Sequence, residues 1–193
     1  MKRISNSVLY ILLLLFLHAC SPANILATGG GSAMVIAEGD RSMGAVVDDA
    51  TIKVNIAAKF IGSEDNLFVN ISTTVLQGRV LLTGLVENQE IRIDAVRRVW
   101  EVNGVKEVIN EIQVGNRSGL KEYANDLWIN TQVKTLAAKA IGLRSFSYNF
   151  ETIRGKVYIA GITSRPEQLD QIIEVTKTIK GVKEIVNYVI IKE

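Results

Sequence analysis

The sequence contains one cysteine and one histidine, and both fall within its first twenty residues. Without a second cysteine, no disulfide can form inside the chain. Beyond residue 20 the chain also lacks the ligands of a Cys/His zinc site and the histidine that would activate a nucleophile. These absences argue against an enzyme, and the sequence predicts no catalytic residue, no metal site and no cofactor.

A strong net charge is also missing. The 22 basic residues barely exceed the 20 acidic ones, and Lys2 and Arg3 belong to a segment that we expect to be removed. Residues 49–114 hold seven basic and nine acidic residues, whereas residues 126–193 hold ten and seven. This balance excludes nucleic acid as a partner, because many phosphates would have to be neutralised together. The second half is the part that we expect to meet an anionic surface.

The most informative feature that is present is an internal repeat with an offset of 77 residues. The segment Gly-Arg-Val-Leu-Leu-Thr-Gly at 78–84 returns as Gly-Lys-Val-Tyr-Ile-Ala-Gly at 155–161. Gly-Val-Lys-Glu-Val at 104–108 likewise returns as Gly-Val-Lys-Glu-Ile at 181–185. The repeat predicts two modules of about 65 residues, a size that buries only roughly 60% of its chain surface. We therefore expect the modules to pack on each other.

The N-terminus has the pattern of a secretory signal. A basic start precedes an apolar run at 8–17, which is too short to span a bilayer. The run leads into Leu-His-Ala-Cys, which resembles the bacterial lipobox and implies that Cys20 is acylated. Ser21 follows, and by resemblance to Gram-negative lipoproteins a residue other than Asp here implies export to the outer membrane. The alternative is an ordinary signal peptide with an incidental cysteine.

Glycine and serine are concentrated at 28–32 and predict a flexible tether that lets the modules stand off a membrane. The alternative for part of this segment is that Val35-Ile36 or Val46-Val47 docks on module one. The predicted organisation is a lipoprotein signal peptide at 1–19, a flexible tether at 20–47, module one at 48–114, a linker at 115–125 and module two at 126–193.

Each module is predicted to begin with a helix that an aspartate, Asp49 or Asp126, caps at its N-terminus. In module one, the spacing i, i+4, i+8 marks a buried face of Ile52, Ile56 and Phe60. In module two, at about 100° per residue, the buried face is Ile129, Val133, Leu136 and Ala140.

A hairpin follows each first helix. In module one, Val69, Ile71 and Thr73 alternate as a strand, and Gly78 is free to take the positive φ of a tight turn. A second helix opens at Asn88 or Glu87, and a strand at 108–114 closes the module, which gives the order αββαβ. In module two, Pro166 suits the first turn of the second helix.

The connection between the second and third strands determines the type of sheet. A helix that joins these strands in a right-handed crossover makes them parallel, while the hairpin strands are antiparallel. The predicted fold class is therefore α+β, with two tandem modules that each pack a three-stranded mixed sheet against two helices.

Three motifs occur in both modules: Asp-x-x-Ile, a Gly-[Arg/Lys]-Val-x-[Leu/Ile]-x-Gly hairpin, and a terminal Gly-Val-Lys-Glu-[Val/Ile]-x-Asn. Together with the lipobox and the Asn-Asp-x-Trp-Ile entry at 125–129, they resemble the dual-BON lipoproteins of the Gram-negative outer membrane, of the DolP type. The resemblance covers nearly the whole mature chain. It implies phospholipid binding, a lipid-anchored place on the periplasmic side of the outer membrane, and a role in envelope integrity.

The first helix of module two carries the candidate site. Its outward residues are Leu127, Trp128, Thr131, Lys134 and Thr135. Module one has only the small Ala50 and Thr51 at the first two of these positions. An exposed Leu-Trp pair beside a lysine is typical of an interfacial contact, with the indole at headgroup depth and the ammonium near lipid phosphate. We therefore predict that these five residues bind an anionic phospholipid membrane.

Two alternatives stay open. Trp128 could instead pack against module one or the linker and form a seam between the modules. Trp100, whose counterpart in module two is Lys177, is expected to contact the other module, with a site for a protein partner as the second interpretation. The alternative function is a protein-interaction adaptor whose modules bind an envelope assembly, such as outer-membrane assembly proteins, or a cell-wall component, with the lipid only as an anchor.

Overall fold

The computed structural model describes residues 42–63, 65–116 and 119–192. The predicted signal peptide, Cys20 and nearly all of the predicted tether lie outside the described residues. Module one consists of α1 (Met43–Ile61), α2 (Leu67–Asn70), β1 (Ile71–Leu76), β2 (Arg79–Val86), α3 (Gln89–Trp100) and β3 (Glu107–Val114). Module two consists of α4 (Leu120–Ile141), a 3-10 helix (Gly142–Ser147), β4 (Tyr148–Ile153), β5 (Lys156–Thr163), α5 (Pro166–Lys177) and β6 (Glu184–Ile191).

Both sheets are three-stranded and mixed, as the sequence predicts. β1 pairs antiparallel with β2, with Ile71 opposite Gly84, and β2 pairs parallel with β3, with Arg79 opposite Glu107. The second sheet has the same strand order and directions. The α+β class and the mixed sheets are therefore confirmed.

The helices of each module cover one face of its sheet. In module one, Ile56 of α1, Val99 of α3 and Val80 of β2 belong to one buried cluster. In module two, Ala137 rather than Ala140 completes the buried face of α4; Ala140 is exposed and Leu136 is only partly buried. Among the residues that the structure describes, all members of the buried clusters lie between residues 52 and 190, so a chain of residues 42–193 contains all of these clusters.

The expected capping role of the two aspartates is wrong. α1 begins at Met43, where Ser42 Oγ accepts from Ala45 N at 3.3 Å, and α4 begins at Leu120. Asp49 therefore lies inside its helix, and its carboxylate accepts from the two turn amides Gln77 N at 2.8 Å and Gly78 N at 2.9 Å. Both helices are longer than predicted, and α4 takes up residues 120–125 of the expected linker.

Module two repeats this contact. Asp126 lies inside α4, and its carboxylate accepts from Arg154 N and Gly155 N, both at 2.8 Å. In each module the two turn residues have positive φ, 57° and 80° at Gln77 and Gly78, which is the signature of a type I′ hairpin. The positive φ predicted for Gly78 is confirmed, and the aspartates fasten the first helix of each module to its hairpin.

The segment before β1 also differs from the prediction. Val69 belongs to the short helix α2 and is exposed, so the strand begins only at Ile71. The helical turn brings Leu67 into the core, where it is fully buried. Asn70 also passes so close to Gly84 that a Cβ there would lie 2.2 Å from the Asn70 carbonyl oxygen. Period-two alternation at 69–73 could not reveal this local turn.

The two modules meet through the sheet faces that their helices leave uncovered. Leu81 of β2 and Ala160 and Ile162 of β5 form one buried cluster across the junction. Leu85 of β2 and Tyr158 of β5 belong to a second. The central strands β2 and β5 are buried on both faces. The modules therefore pack on each other, as expected, and they do so sheet on sheet.

A polar network closes one side of this junction. The Tyr188 hydroxyl donates to Glu111, and Lys156 Nζ lies 3.3 Å from a carboxylate oxygen of Glu111 and of Glu184. Burial raises the pKa of Tyr188, and the adjacent Glu111 carboxylate raises it further. Burial alone would lower the pKa of Lys156, but the carboxylates of Glu184 and Glu111 raise it above its ordinary value.

Trp100 is not part of the junction. It is 52% exposed at the end of α3, and the buried clusters between the sheets do not include it. The expected contact of Trp100 with the other module is therefore wrong, because the modules meet through strands and α3 lies on the opposite side of its sheet.

Candidate membrane-contact surface

All five predicted residues lie on the outer side of α4. Leu127 is 56% exposed and Trp128 is 47% exposed, and Thr131, Lys134 and Thr135 are also exposed. The opposite side of the helix enters the core. Protein therefore does not enclose the indole of Trp128, and the junction between the modules does not depend on it.

The two threonines contribute apolar rather than polar surface. Thr131 Oγ1 donates to Leu127 O at 2.8 Å, and Thr135 Oγ1 donates to Thr131 O at 2.9 Å. Since each hydroxyl is satisfied by the carbonyl one turn earlier, these side chains have less need of an outside partner. Among the five residues, Lys134 is thus the one suited to bind a phosphate.

The outer side of α4 carries no carboxylate, although the helix contains two. Glu122 pairs with Arg154, with 3.1 Å between Oε1 and Nε, and Asp126 binds the hairpin turn. Lys121 and Lys139 are exposed on the same helix as Lys134. The acids of α4 are used to hold the module together, which leaves its exposed surface apolar and basic.

Sequence reasoning missed several residues that extend this surface. Leu120 and Tyr123 are exposed in the first turns of α4, and Leu143 and Phe146 are exposed in the 3-10 helix that follows it. The first pair was missed because Asp126 was interpreted as the start of the helix. The signal was present, since Leu120, Tyr123 and Leu127 have the i, i+3, i+7 spacing of one helix face.

The outer side of α1 is more apolar than the comparison of Ala50 and Thr51 with Leu127 and Trp128 suggests. Val47, Val54 and Ile61 are exposed on it, with Val54 at 67%. The asymmetry between the modules is therefore one of size and charge: α4 presents leucine, tryptophan and lysine, whereas α1 presents smaller aliphatic side chains.

Two absences apply to the residues that the structure describes. None of their helices is both long enough and apolar enough to cross a membrane. No three His, Cys, Asp or Glu side chains among them come together in an arrangement that could hold a metal ion.

Comparison with known proteins identifies the modules. The BON domain family matches the chain twice, at residues 48–116 and 125–193. The chain belongs to the BON-domain family. Each BON match comprises one of the repeated units and includes the Asp-x-x-Ile motif of its first helix, at 49–52 and at 126–129.

Three relatives match three quarters or more of the chain. A protein from the gshII 5′ region of Anaplasma centrale is 37% identical over 147 residues, which cover 76% of this chain and 96% of the relative. The outer membrane lipoprotein DolP of Haemophilus influenzae is 28% identical, covering 89% of this chain and 88% of that protein. The osmotically-inducible protein Y of Escherichia coli is 26% identical, covering 75% and 73%.

A cleft opens where the edge strands of the two BON modules approach each other. It has a volume of about 460 Å³, and β1 and β4 form much of its wall. Lys53 of α1 lines it from one module, and Lys134 of α4 and Phe146 line it from the other. Lys134 thus belongs both to the outer side of α4 and to this inter-module cleft.

Proposed function

We propose that this BON protein is a non-enzymatic, lipid-anchored protein of the outer membrane, facing the periplasm, that binds anionic phospholipid through the outer side of α4 and supports envelope integrity. The observation that carries the proposal is the exposed Leu127-Trp128 pair, on a helix whose exposed surface has lysines and no carboxylate. The similarity to a protein named outer membrane lipoprotein DolP supports the location. Cys20 would hold the anchor.

The contact is weak by itself. Roughly half of Leu127 and of Trp128 remains to be buried, which corresponds to about 1 kcal/mol for each. Lys134 near an anionic surface adds about 1 kcal/mol. A total of about 3 kcal/mol corresponds to a dissociation constant in the millimolar range. Binding of a chain without the anchor is therefore measurable only at millimolar lipid, and the anchor strengthens the contact by keeping the modules at a high local concentration beside the bilayer.

Sedimentation with vesicles of phosphatidylglycerol tests the proposal on a chain of residues 42–193, which has no acyl anchor. We expect Trp128→Glu to abolish binding, because a carboxylate replaces the inserted side chain, and to leave the melting temperature nearly unchanged, because the indole is not part of the core. A large fall in melting temperature would mean that Trp128 has a structural role instead.

Val54→Glu is a matched control, since Val54 is exposed on the outer side of α1 and occupies the position of Thr131. The proposal expects this variant to keep most of its binding. If Val54→Glu and Trp128→Glu weaken binding equally, contact is not specific to α4. Salt titration of the wild-type chain would separate the ionic part of the binding, because salt screens exposed charges.

A second candidate is an adaptor that binds a protein of an outer-membrane assembly. It is favoured by the exposure of Trp100 and of Ile93, which lies two turns earlier on the same face of α3. Exposed tryptophan and apolar patches flanked by arginine are common in protein interfaces. If the folded wild-type chain does not bind anionic vesicles even at lipid concentrations above the millimolar dissociation constant expected for contact through α4, this candidate replaces the first.

A further inference from the structure

We infer that the inter-module cleft is a binding site for the phosphodiester headgroup of a single anionic phospholipid, formed jointly by Lys53 of module one and Lys134 of module two. This inference rests on the proposed function, and it adds a residue of the other module to the membrane contact.

The charges of the cleft fit such a ligand. Lys53 and Lys134 both line it, and neither has an ion pair with another described residue. Glu151 is the one carboxylate among the described lining residues, and it accepts a hydrogen bond from Ser72 Oγ at 3.2 Å. Two ammonium groups and one carboxylate leave a single positive charge, which complements the single negative charge of a phosphodiester.

The size and the polar groups of the cleft also fit. Its volume of about 460 Å³ lies within the range of roughly 300–1,000 Å³ that small-molecule sites occupy. Four polar residues of the two edge strands, Ser72, Thr73, Thr74 and Asn149, line the cleft. Hydroxyl and amide groups of this kind bind the oxygen atoms of a headgroup, while the lysines neutralise its charge.

The position of the cleft favours a lipid over a soluble phosphodiester. Lys134 and Ala138, which line the cleft, are on the exposed side of the helix proposed to touch the bilayer. Phe146, also a lining residue, is 66% exposed. A headgroup can therefore enter the cleft while its acyl chains stay in the bilayer next to Phe146. Lys53 lies on the first helix of the other module, so neither module alone contains both lysines.

The test compares Lys53→Ala with Lys106→Ala in the chain of residues 42–193. Both lysines are exposed residues of module one without an ion pair to a described residue, but only Lys53 lines this cleft. We expect Lys53→Ala to weaken binding to phosphatidylglycerol vesicles roughly fivefold, the factor that corresponds to one lysine beside an anionic surface. Lys106→Ala should change it by less than about twofold, and Lys53→Arg should restore most of the loss.

A second arm distinguishes the source of the phosphate. Soluble glycerophosphoglycerol and inorganic phosphate are titrated separately, while the amide resonances of Ser72, Thr73 and Asn149 are followed by NMR. The inference expects shifts with glycerophosphoglycerol that Lys53→Ala removes, and the same variant should bind vesicles more weakly, as stated above. If Lys53→Ala removes only the shifts with the soluble compounds and leaves vesicle binding intact, the ligand is not a membrane lipid and the inference fails.

The inference and the proposed function fail in different ways. Equal vesicle binding by Lys53→Ala, Lys106→Ala and the wild type would overturn the inference that the cleft binds a headgroup. Loss of binding in Trp128→Glu would still support contact through α4. Unchanged binding in Trp128→Glu would overturn the proposed contact through α4, whatever the lysine variants do. Melting temperatures within a few degrees of the wild type ensure that each variant is folded.

Discussion

The aspartate that joins the first helix to the hairpin provides a direct test of the fold. Asp49 lies in the middle of α1 with only 5% of its surface exposed, and it accepts hydrogen bonds from Gln77 N and Gly78 N. A hydrogen bond to a charged group contributes about 1.5–3 kcal/mol. Hydration of the two freed amides offsets part of what the two hydrogen bonds contribute together. Asp49→Ala should therefore lower the free energy of unfolding by about 3–4 kcal/mol.

The size of this loss separates two roles for the residue. Replacing an N-cap by alanine costs about 1 kcal/mol. In a helix interior, alanine is by itself better than aspartate by about 0.5 kcal/mol. A loss of about 3 kcal/mol or more therefore exceeds what an N-cap accounts for, and we expect it from the two hydrogen bonds to the turn.

Urea unfolding followed by circular dichroism measures the loss, with Asp48→Ala as the matched control. Asp48 is the exposed neighbour of Asp49, and its removal should change the free energy of unfolding by no more than about 0.5 kcal/mol. Asp126→Ala should also destabilise, but less than Asp49→Ala, because Asp126 is less deeply buried. Equal effects of Asp48→Ala and Asp49→Ala would refute the reasoning.

Two further predictions concern the junction between the modules. Leu81→Ala should lower the free energy of unfolding by about 2–5 kcal/mol through the cavity it leaves between the sheets, whereas Leu143→Ala, at an exposed position, should cost less than about 1 kcal/mol; thermal unfolding of both variants measures the difference. The raised pKa of Tyr188 means that the folded chain holds this proton more tightly than the unfolded chain, so its contribution to stability is complete below pH 10 and is lost as the pH rises above 10. Between pH 8 and about 11, the free energy of unfolding measured with urea should therefore fall less in Tyr188→Phe than in the wild type. An equal fall in both would contradict this role of Tyr188.

The fold could be predicted from the sequence because its main signals are local and occur twice. Asn88 caps α3 as expected, with Oδ1 accepting from Ile91 N at 2.9 Å, and Pro166 opens α5. The hairpin glycines and the crossover helices then determine the mixed sheet. By contrast, an aspartate before an apolar helical stripe suits an N-cap as well as a contact with a distant turn, and only the turn's position in space decides between them.

The junction between the modules could not be located in this way, although its signal is in the sequence. The runs Val-Leu-Leu at 80–82 and Val-Tyr-Ile-Ala at 157–160 are continuously apolar, which is typical of strands buried on both faces. Such a run does not say what covers the second face. The inter-module contact was expected at Trp100 and, as the alternative to membrane contact, at Trp128, and neither residue lies in the buried clusters of the junction.

The sheet-on-sheet junction also determines where the two copies are free to diverge. Each sheet has one face against its own helices and the other against its twin, so substitutions there are limited by packing on both sides. The outer sides of α1 and α4 carry no such limit, and they differ where Thr51 in one copy corresponds to Trp128 in the other. A cleft that borders both copies then combines a lysine of the first with a lysine of the second, which explains how duplication of one module can create a site that a single module does not have.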